Sequence, residues 1–426
     1  MWVTISSFAV ILALGVPIAV LLALTSIIYL VSTGQSMLIE VIAQRVYNGL
    51  ANFNLLAIPL FILAGELMNA VGITQKLVNF FNLLFGHIKG GLAYVNIFSS
   101  MCFAGISGTA TSDAAAIGGV LIPAMKKEGY DVRFSAALTS AASTIGPIIP
   151  PSMIMILYAV FANTSVAALF IGGVIPGILI GIFLVATVYI QGRKNAFPKT
   201  MKKASFKEVR RGFLDAILAF LMPLIILVGL TTGVFTATES GAAAVAYALI
   251  IGLFIYRSIT LKEIYKICMG AGIFSANILI IAGTGSFMAW VLAAGMVPQT
   301  IATSILEFTQ DPYLILFLIN IFLLIVGMFM DTTAALIILV PVLLPIIHEI
   351  GVDPVHFGVV LCFNLIQGLI TPPLGVNLFI TSQIAGIKFE EMLKPLTPYL
   401  CANIIVLFLI TYIPQLVTWL PDLLLK

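Results

Sequence analysis

Ser143-Thr144-Ile145-Gly146-Pro147-Ile148-Ile149-Pro150-Pro151 interrupts an apolar run over residues 134–162. Asn364-Leu365-Ile366-Gln367-Gly368-Leu369-Ile370-Thr371-Pro372-Pro373 interrupts a second run, over 357–385. Each proline removes a backbone donor and disfavours helical geometry just before it. Paired prolines after a glycine therefore leave several carbonyls without helix partners. In lipid that is costly unless the break lines a cavity or holds an ion. A small hard cation takes oxygen ligands, which free carbonyls and Ser/Thr hydroxyls supply.

The two breaks belong to a longer repeat. At an offset of 222 residues, 105–158 aligns with 327–380 without a gap. Gly105 meets Gly327, Thr111 meets Thr333, Pro123 meets Pro345, Gly146 meets Gly368, and Pro150-Pro151 meets Pro372-Pro373. Matched Gly and Pro carry weight because they fix backbone geometry. Each copy also holds a long apolar run with a polar middle, over 91–125 and 312–347. The polar tips are Gly105-Ile106-Ser107-Gly108-Thr109-Ala110-Thr111-Ser112-Asp113 and Gly327-Met328-Phe329-Met330-Asp331-Thr332-Thr333. Such runs read as re-entrant helical hairpins.

Composition sets the surroundings. Of 426 residues, 61% are hydrophobic and 9% charged, and the mean hydropathy is +1.17. A soluble domain carries about 25% charge, so lipid must cover this surface. Further spans are expected at 4–31, 54–71, 166–191, 214–234, 238–256, 271–293 and 398–420. The first lacks a basic n-region and reads as a retained helix, not a cleaved signal. Residues 36–50 and 73–86 read as amphipathic interfacial arms. The net charge of +3 gives no sign of a nucleic-acid partner. Cys102, Cys268, Cys362 and Cys401 have no pair spacing and read as small core residues. His87, His348 and His356 are too scattered for a metal site. No nucleotide loop, metalloprotease motif or Gly-x-Ser-x-Gly elbow is present. Without an ATPase module, a pump of this kind must draw on an ion gradient.

Charge gives the sense of the repeat. The loop Arg193, Lys194, Lys199, Lys202, Lys203, Lys207, Arg210, Arg211 is opposed by Glu208 alone, and the positive-inside rule puts it in the cytoplasm. Lys126 to Arg133 is basic, whereas its equivalent His348 to Asp353 is acidic. Equivalent loops of opposite charge imply opposite sides of the membrane, an inverted-topology repeat. The expected organisation is a first repeat over 1–192, a basic loop and connecting helix over 193–235, and a second repeat over 236–426. Acids in apolar sequence are expensive. Asp331 is the stronger functional candidate; Asp113 serves either the site or as cap of the helix beginning there. Glu66 reads as interfacial and Glu239 as an acidic helix start. A central substrate site is expected between tips and breaks, from Ser112, Asp113, Ser143, Thr144, Thr332, Thr333, Asn364 and Gln367.

The Ser107–Ala116 tip, Gly146–Pro151, Thr236–Ala244 and Gln367–Pro373 together resemble the large membrane subunit of tripartite ATP-independent periplasmic (TRAP) transporters. The resemblance covers essentially the whole chain. It implies an all-α, elevator-type integral membrane protein of the bacterial inner membrane. It further implies sodium-driven import of an organic acid, C4-dicarboxylate or sialic acid, with overall similarity leaning to sialic acid. Its implied partners are a small four-helix membrane subunit and a periplasmic substrate-binding protein. Carried onto matching positions, one sodium site uses Ser107, Thr109, Gly146, Ile149 and Pro151, and the other Asp331, Gly368, Thr371 and Pro373. Two readings compete: a stand-alone sodium–dicarboxylate symporter, and an intramembrane enzyme or lipid flippase. The lack of a His/Ser/Asp constellation argues against an enzyme.

Overall fold

Where the apolar runs are punctuated by Gly and Pro, the helices of this computed structural model end. Residues 2–194, 197–198 and 203–425 are described; Met1, and Lys199 and Lys202 of the basic loop, lie outside them. They form twenty α-helices, short 3-10 and π segments, and no strand among the described residues.

The first half opens with α1 (Trp2–Ala13) and α2 (Ile18–Ser32). One span was expected there. Gly15, with φ +69°, and Pro17 divide it, because the first takes a left-handed turn and the second cannot donate. The arm over 36–50 is a 3-10 turn followed by α3 (Ile42–Leu50). Next come α4 (Ala57–Ala70), the second arm α5 (Ile73–Phe85), and the hairpin α6 (Gly91–Ser107) with α7 (Ala110–Lys127). The first broken helix is α8 (Val132–Ala142) and α9 (Met153–Ala162), and α10 (Val166–Lys194) closes the half.

The connecting helix α11 (Phe206–Thr231) leads into α12 (Ala237–Ile250), α13 (Leu261–Ala294) and α14 (Val297–Phe308). The second hairpin is α15 (Pro312–Phe329) with α16 (Thr332–Glu349). The second broken helix is α17 (Pro354–Gln367) and α18 (Val376–Ala385), followed by α19 (Glu390–Tyr412) and α20 (Gln415–Leu424). Glu239 does start its helix, closing a capping box with Thr236. Of the four cysteines expected in the core, Cys362 is buried, Cys102 is intermediate, and Cys268 and Cys401 are exposed on the outer faces of α13 and α19.

The repeat survives in the element bounds. Moved by 222 residues, α7 takes the bounds of α16, and α6, α8 and α9 fall on α15, α17 and α18 within a few residues. Among the described residues, eight helices are long and apolar enough to cross a membrane, including both arms of the second hairpin, α15 and α16. The parts of the broken helices are shorter.

The halves interlock. α9 packs on the second hairpin's α16, while α18 packs on the first hairpin's α7. Exchanging the halves maps each contact onto the other. Tyr158 on α9 donates its hydroxyl to Pro354 O at 2.7 Å, and Gly358 leaves room for its ring. A second group of helices surrounds this body: α13 packs on α2, α3 and α4, α12 on α4, and α11 on α5 and α12. Arg45 of the arm α3 lies 4.4 Å from the Trp290 ring centroid on α13, a cation–π contact that pins the arm.

Candidate ion and substrate sites

Gly108, with φ +65°, ends α6 and turns the chain into α7. Thr109 caps α7, accepting from Ser112 N at 3.3 Å. This settles the capping question at the first tip: the cap is Thr109, and Asp113 lies one turn inside the helix. Asp113 is fully buried. Its Oδ1 accepts from the Ser107 hydroxyl, and its Oδ2 has no hydrogen-bond partner among the described residues. That oxygen points at Gly146 in the first break, where an added Cβ would run into it.

The tip and break meet a second time. A Cβ on Gly108 would lie 2.6 Å from Pro151 O. Ser107, Thr109, Gly146 and Pro151 are therefore gathered around one point, with the Asp113 carboxylate added to the set. Ile149 sets its side chain against Gly177 of α10, so its offering to the break is backbone. The Pro150–Pro151 and Pro372–Pro373 bonds are both cis.

The second half turns differently at its tip and carries different side chains: Met330, the equivalent of Gly108, is extended at φ −124° where Gly108 is left-handed. Gly327 and Gly368 are in contact, and a Cβ at Gly368 would overlap Gly327 O. Thr371 is buried and donates to Gln367 O at 2.6 Å. Asp331 is exposed and caps α16, its Oδ1 accepting from Thr333 N at 2.9 Å and Ala334 N at 3.4 Å. No hydrogen bond joins it to Gly368, Thr371 or Pro373 among the described residues. Under the offset, Asp331 is the equivalent of Thr109, and Asp113 of Ala335. Each half thus has one acid near its tip, but only Asp113 is enclosed.

A cavity of about 270 Å³ lies between the tips. Thr109 and Thr111 line it from one side, Asp331, Thr332 and Thr333 from the other, and Asn277 and Phe274 from α13. Thr332 and Thr333 stand where a substrate site was expected. Ser112 does not line this cavity; it opens into a neighbouring one of about 230 Å³. A larger cavity of about 650 Å³, around His356 and Tyr412, contains no tip or break residue.

The break residues Ser143, Thr144, Asn364 and Gln367 are placed elsewhere than expected. All four are buried and absent from the cavity lining. Ser143, Thr144 and Gln367 take part in polar contacts that fasten the two broken helices together, and Asn364 pairs separately with α15. Asn403 on α19 donates to Thr144 Oγ1 at 3.1 Å and Gln367 Oε1 at 3.0 Å. Asn377 on α18 donates to Ser143 Oγ at 2.8 Å, and Asn364 donates to Asn320 Oδ1 at 2.8 Å. Buried polar groups need such partners. Asn320, Asn377 and Asn403 went unnoticed in the sequence, although single amides in apolar helices were the available signal. Among the described residues, no three His, Cys, Asp or Glu side chains gather as a metal-binding group.

A family profile described as "Tripartite ATP-independent periplasmic transporter, DctM component" matches residues 5–416. This chain belongs to that family. An isethionate TRAP transporter permease protein (DctMQ) of Oleidesulfovibrio alaskensis is 39% identical over 96% of this chain and 64% of its own length. The sialic acid TRAP transporter large permease protein (SiaM) of Vibrio cholerae is 38% identical over 96% of this chain and 95% of its own. A C4-dicarboxylate TRAP transporter large permease protein (DctM) of Pseudomonas aeruginosa is 37% identical over 89% of each chain. Among solved structures, the YdaH transporter of Alcanivorax borkumensis shares the fold, with a TM-score of 0.62 at 15% identity, covering 89% of this chain and 88% of that one. The TRAP large permease is a transport protein of the inner membrane, not an enzyme, and imports organic acids. Such permeases work with a small permease and a periplasmic binding protein.

Proposed function

We propose that this TRAP large permease couples inward sodium flow to uptake of a sialic acid or C4-dicarboxylate. The observation that carries the reading is the enclosed Asp113 carboxylate. A buried charge without a partner is costly. Here one oxygen is satisfied by Ser107 and the other faces the break. A sodium ion among Ser107, Thr109, Asp113 and the carbonyls near Gly146, Ile149 and Pro151 supplies the missing positive charge with ligands of the right hardness. The second ion is assigned to the matching break, at Gly368, Thr371 and Pro373 with Asp331.

The substrates for which these relatives are named, isethionate, sialic acid and C4-dicarboxylate, are all organic acids. Thr111, Thr332, Thr333 and Asn277 offer donors to such a molecule. The cavity between the tips is the proposed substrate site. The partners proposed are a four-helix small subunit and a periplasmic binding protein; the 64% coverage of the isethionate permease leaves length there for a fused membrane partner.

Residues 1–192 and 236–426 are proposed as repeats of inverted topology joined by the loop and helix of 193–235. The basic loop and opposite loop charges support this. Elevator motion of the interlocked hairpins and breaks against α4, α12 and α13 completes the mechanism.

The drive is sufficient. Two sodium ions gain roughly 4–5 kcal/mol per 100 mV, less what the substrate's charge returns. A tenfold accumulation costs about 1.4 kcal/mol. The test is uptake of labelled sialic acid and a C4-dicarboxylate by proteoliposomes holding the complete transporter. Uptake is expected in sodium and lost in choline medium of matched ionic strength. Undiminished uptake in choline rejects sodium coupling, and uptake without the binding protein favours the stand-alone symporter.

A further inference from the structure

Glu66 was expected at the membrane interface, near the end of its span. In the folded chain it faces the tip of the first hairpin. Gly65 explains the approach: a Cβ there would sit 3.1 Å from Ile106 O and 3.2 Å from Ser107 Cα, so the hairpin backbone rests directly on α4. The next residue, Glu66, opens into the cavity of about 230 Å³ with Ser107, Thr109, Thr111 and Ser112. Its carboxylate has no hydrogen-bond or ion-pair partner among the described residues. Between walls that include Ile62 and Phe274, the pocket therefore offers one carboxylate beside four Ser and Thr residues.

The pocket connects to the first break through one side chain. Ser107 lines it and also donates to the buried Asp113 carboxylate. A cation held near Glu66 is one hydroxyl away from Asp113. Neither this pocket nor the neighbouring cavity between the tips is lined by Lys, Arg or His, and their charged residues are Glu66 and Asp331. Such a lining concentrates cations and repels an organic anion until they are in place.

We propose that this pocket is an access vestibule for sodium at the first break, and that Glu66 raises the local sodium concentration without ligating the bound ion. The inference rests on the sodium-coupled reading above. A charge acting through space alters apparent affinity and is screened by salt, because the Debye length is about 8 Å at 0.15 M ionic strength. A ligand lost from the ion itself removes a binding site.

The experiment is ²²Na⁺ binding to the purified full-length chain by scintillation proximity. Glu66→Gln is expected to weaken apparent sodium affinity by about three- to tenfold at low ionic strength, with the number of bound ions unchanged. The gap should close in 0.5 M choline chloride. Ser112→Lys, which brings a cation into the same pocket while keeping Glu66, should reproduce the weakening. Unchanged affinity in both variants overturns the vestibule. Fewer bound ions in Glu66→Gln also overturns it, since Glu66 would then be a ligand. A parent protein that binds no sodium rejects the coupling reading and this inference together, whereas sodium-dependent uptake with unaltered variants rejects this inference alone.

Discussion

The Asp113 carboxylate lies against the α-carbon of Gly146, with no room between them for a methyl group. One residue comes from the first hairpin and the other from the first break, so this contact is where tip and break become one site. Gly146→Ala forces one of them to move. Sodium affinity measured from the half-saturation of uptake should fall at least tenfold. Gly119→Ala on the same hairpin helix, where an added Cβ meets nothing within 4 Å, should be neutral. Equal behaviour of the two variants would show that the contact does not matter.

The two acids should rank in the order of their enclosure. Asp113→Asn removes the charge that faces the first break, and should lower sodium affinity at least tenfold with folding retained. Asp331→Asn keeps a competent helix cap, since Asn caps as well as Asp. Its effect on sodium affinity should be smaller. Sequence alone had ranked Asp331 first, because Asp113 sat where a cap was plausible. The reverse order, with both proteins monodisperse, would restore that ranking.

Asn403 bridges the two breaks through Thr144 and Gln367. Asn403→Leu leaves both partners buried without their donor. The cost is about 1–3 kcal/mol for a soluble interior, and about 0.6–2 kcal/mol inside a membrane protein. Thermal unfolding in detergent should show the loss, while Cys401→Ser on the exposed face of the same helix should not.

The repeat was legible in the sequence because Gly and Pro dictate backbone and tolerate few substitutes. Gly146, Gly368 and the paired prolines marked both breaks, which part α8 from α9 and α17 from α18. Side-chain placement was not legible. Whether Asp113 caps a helix or lies one turn inside it depends on where Gly108 bends the chain. Ser143, Thr144, Asn364 and Gln367 looked like a site because they flank breaks. Their true partners, Asn377, Asn403 and Asn320, come from elements distant in sequence. Gly15 and Pro17 were in plain view, yet the uncharged, mostly apolar stretch over 4–31 outweighed them in a span count.

Motion should follow the packing. α9 is held by α16 and α18 by α7, so neither hairpin can leave its opposite break without uncovering buried surface. The network through Asn403 adds a polar lock between the breaks, where opening would expose amides and free carbonyls to a dry interior at several kcal/mol per group. Contact between hairpin and frame is of another kind. At Gly65 the first tip meets α4 through backbone and small atoms, with a cavity of about 230 Å³ beside it. Sliding there exchanges few hydrogen bonds. Paired spin labels on α7 and α18, and on α16 and α9, should therefore keep their distances within about 2 Å through the transport cycle. Labels between either pair and α12 should shift by at least about one helical turn, roughly 5 Å, along the membrane normal. Should the α7–α18 and α16–α9 distances change instead, while both pairs stay fixed against α12, a rocking or gating mechanism replaces the elevator.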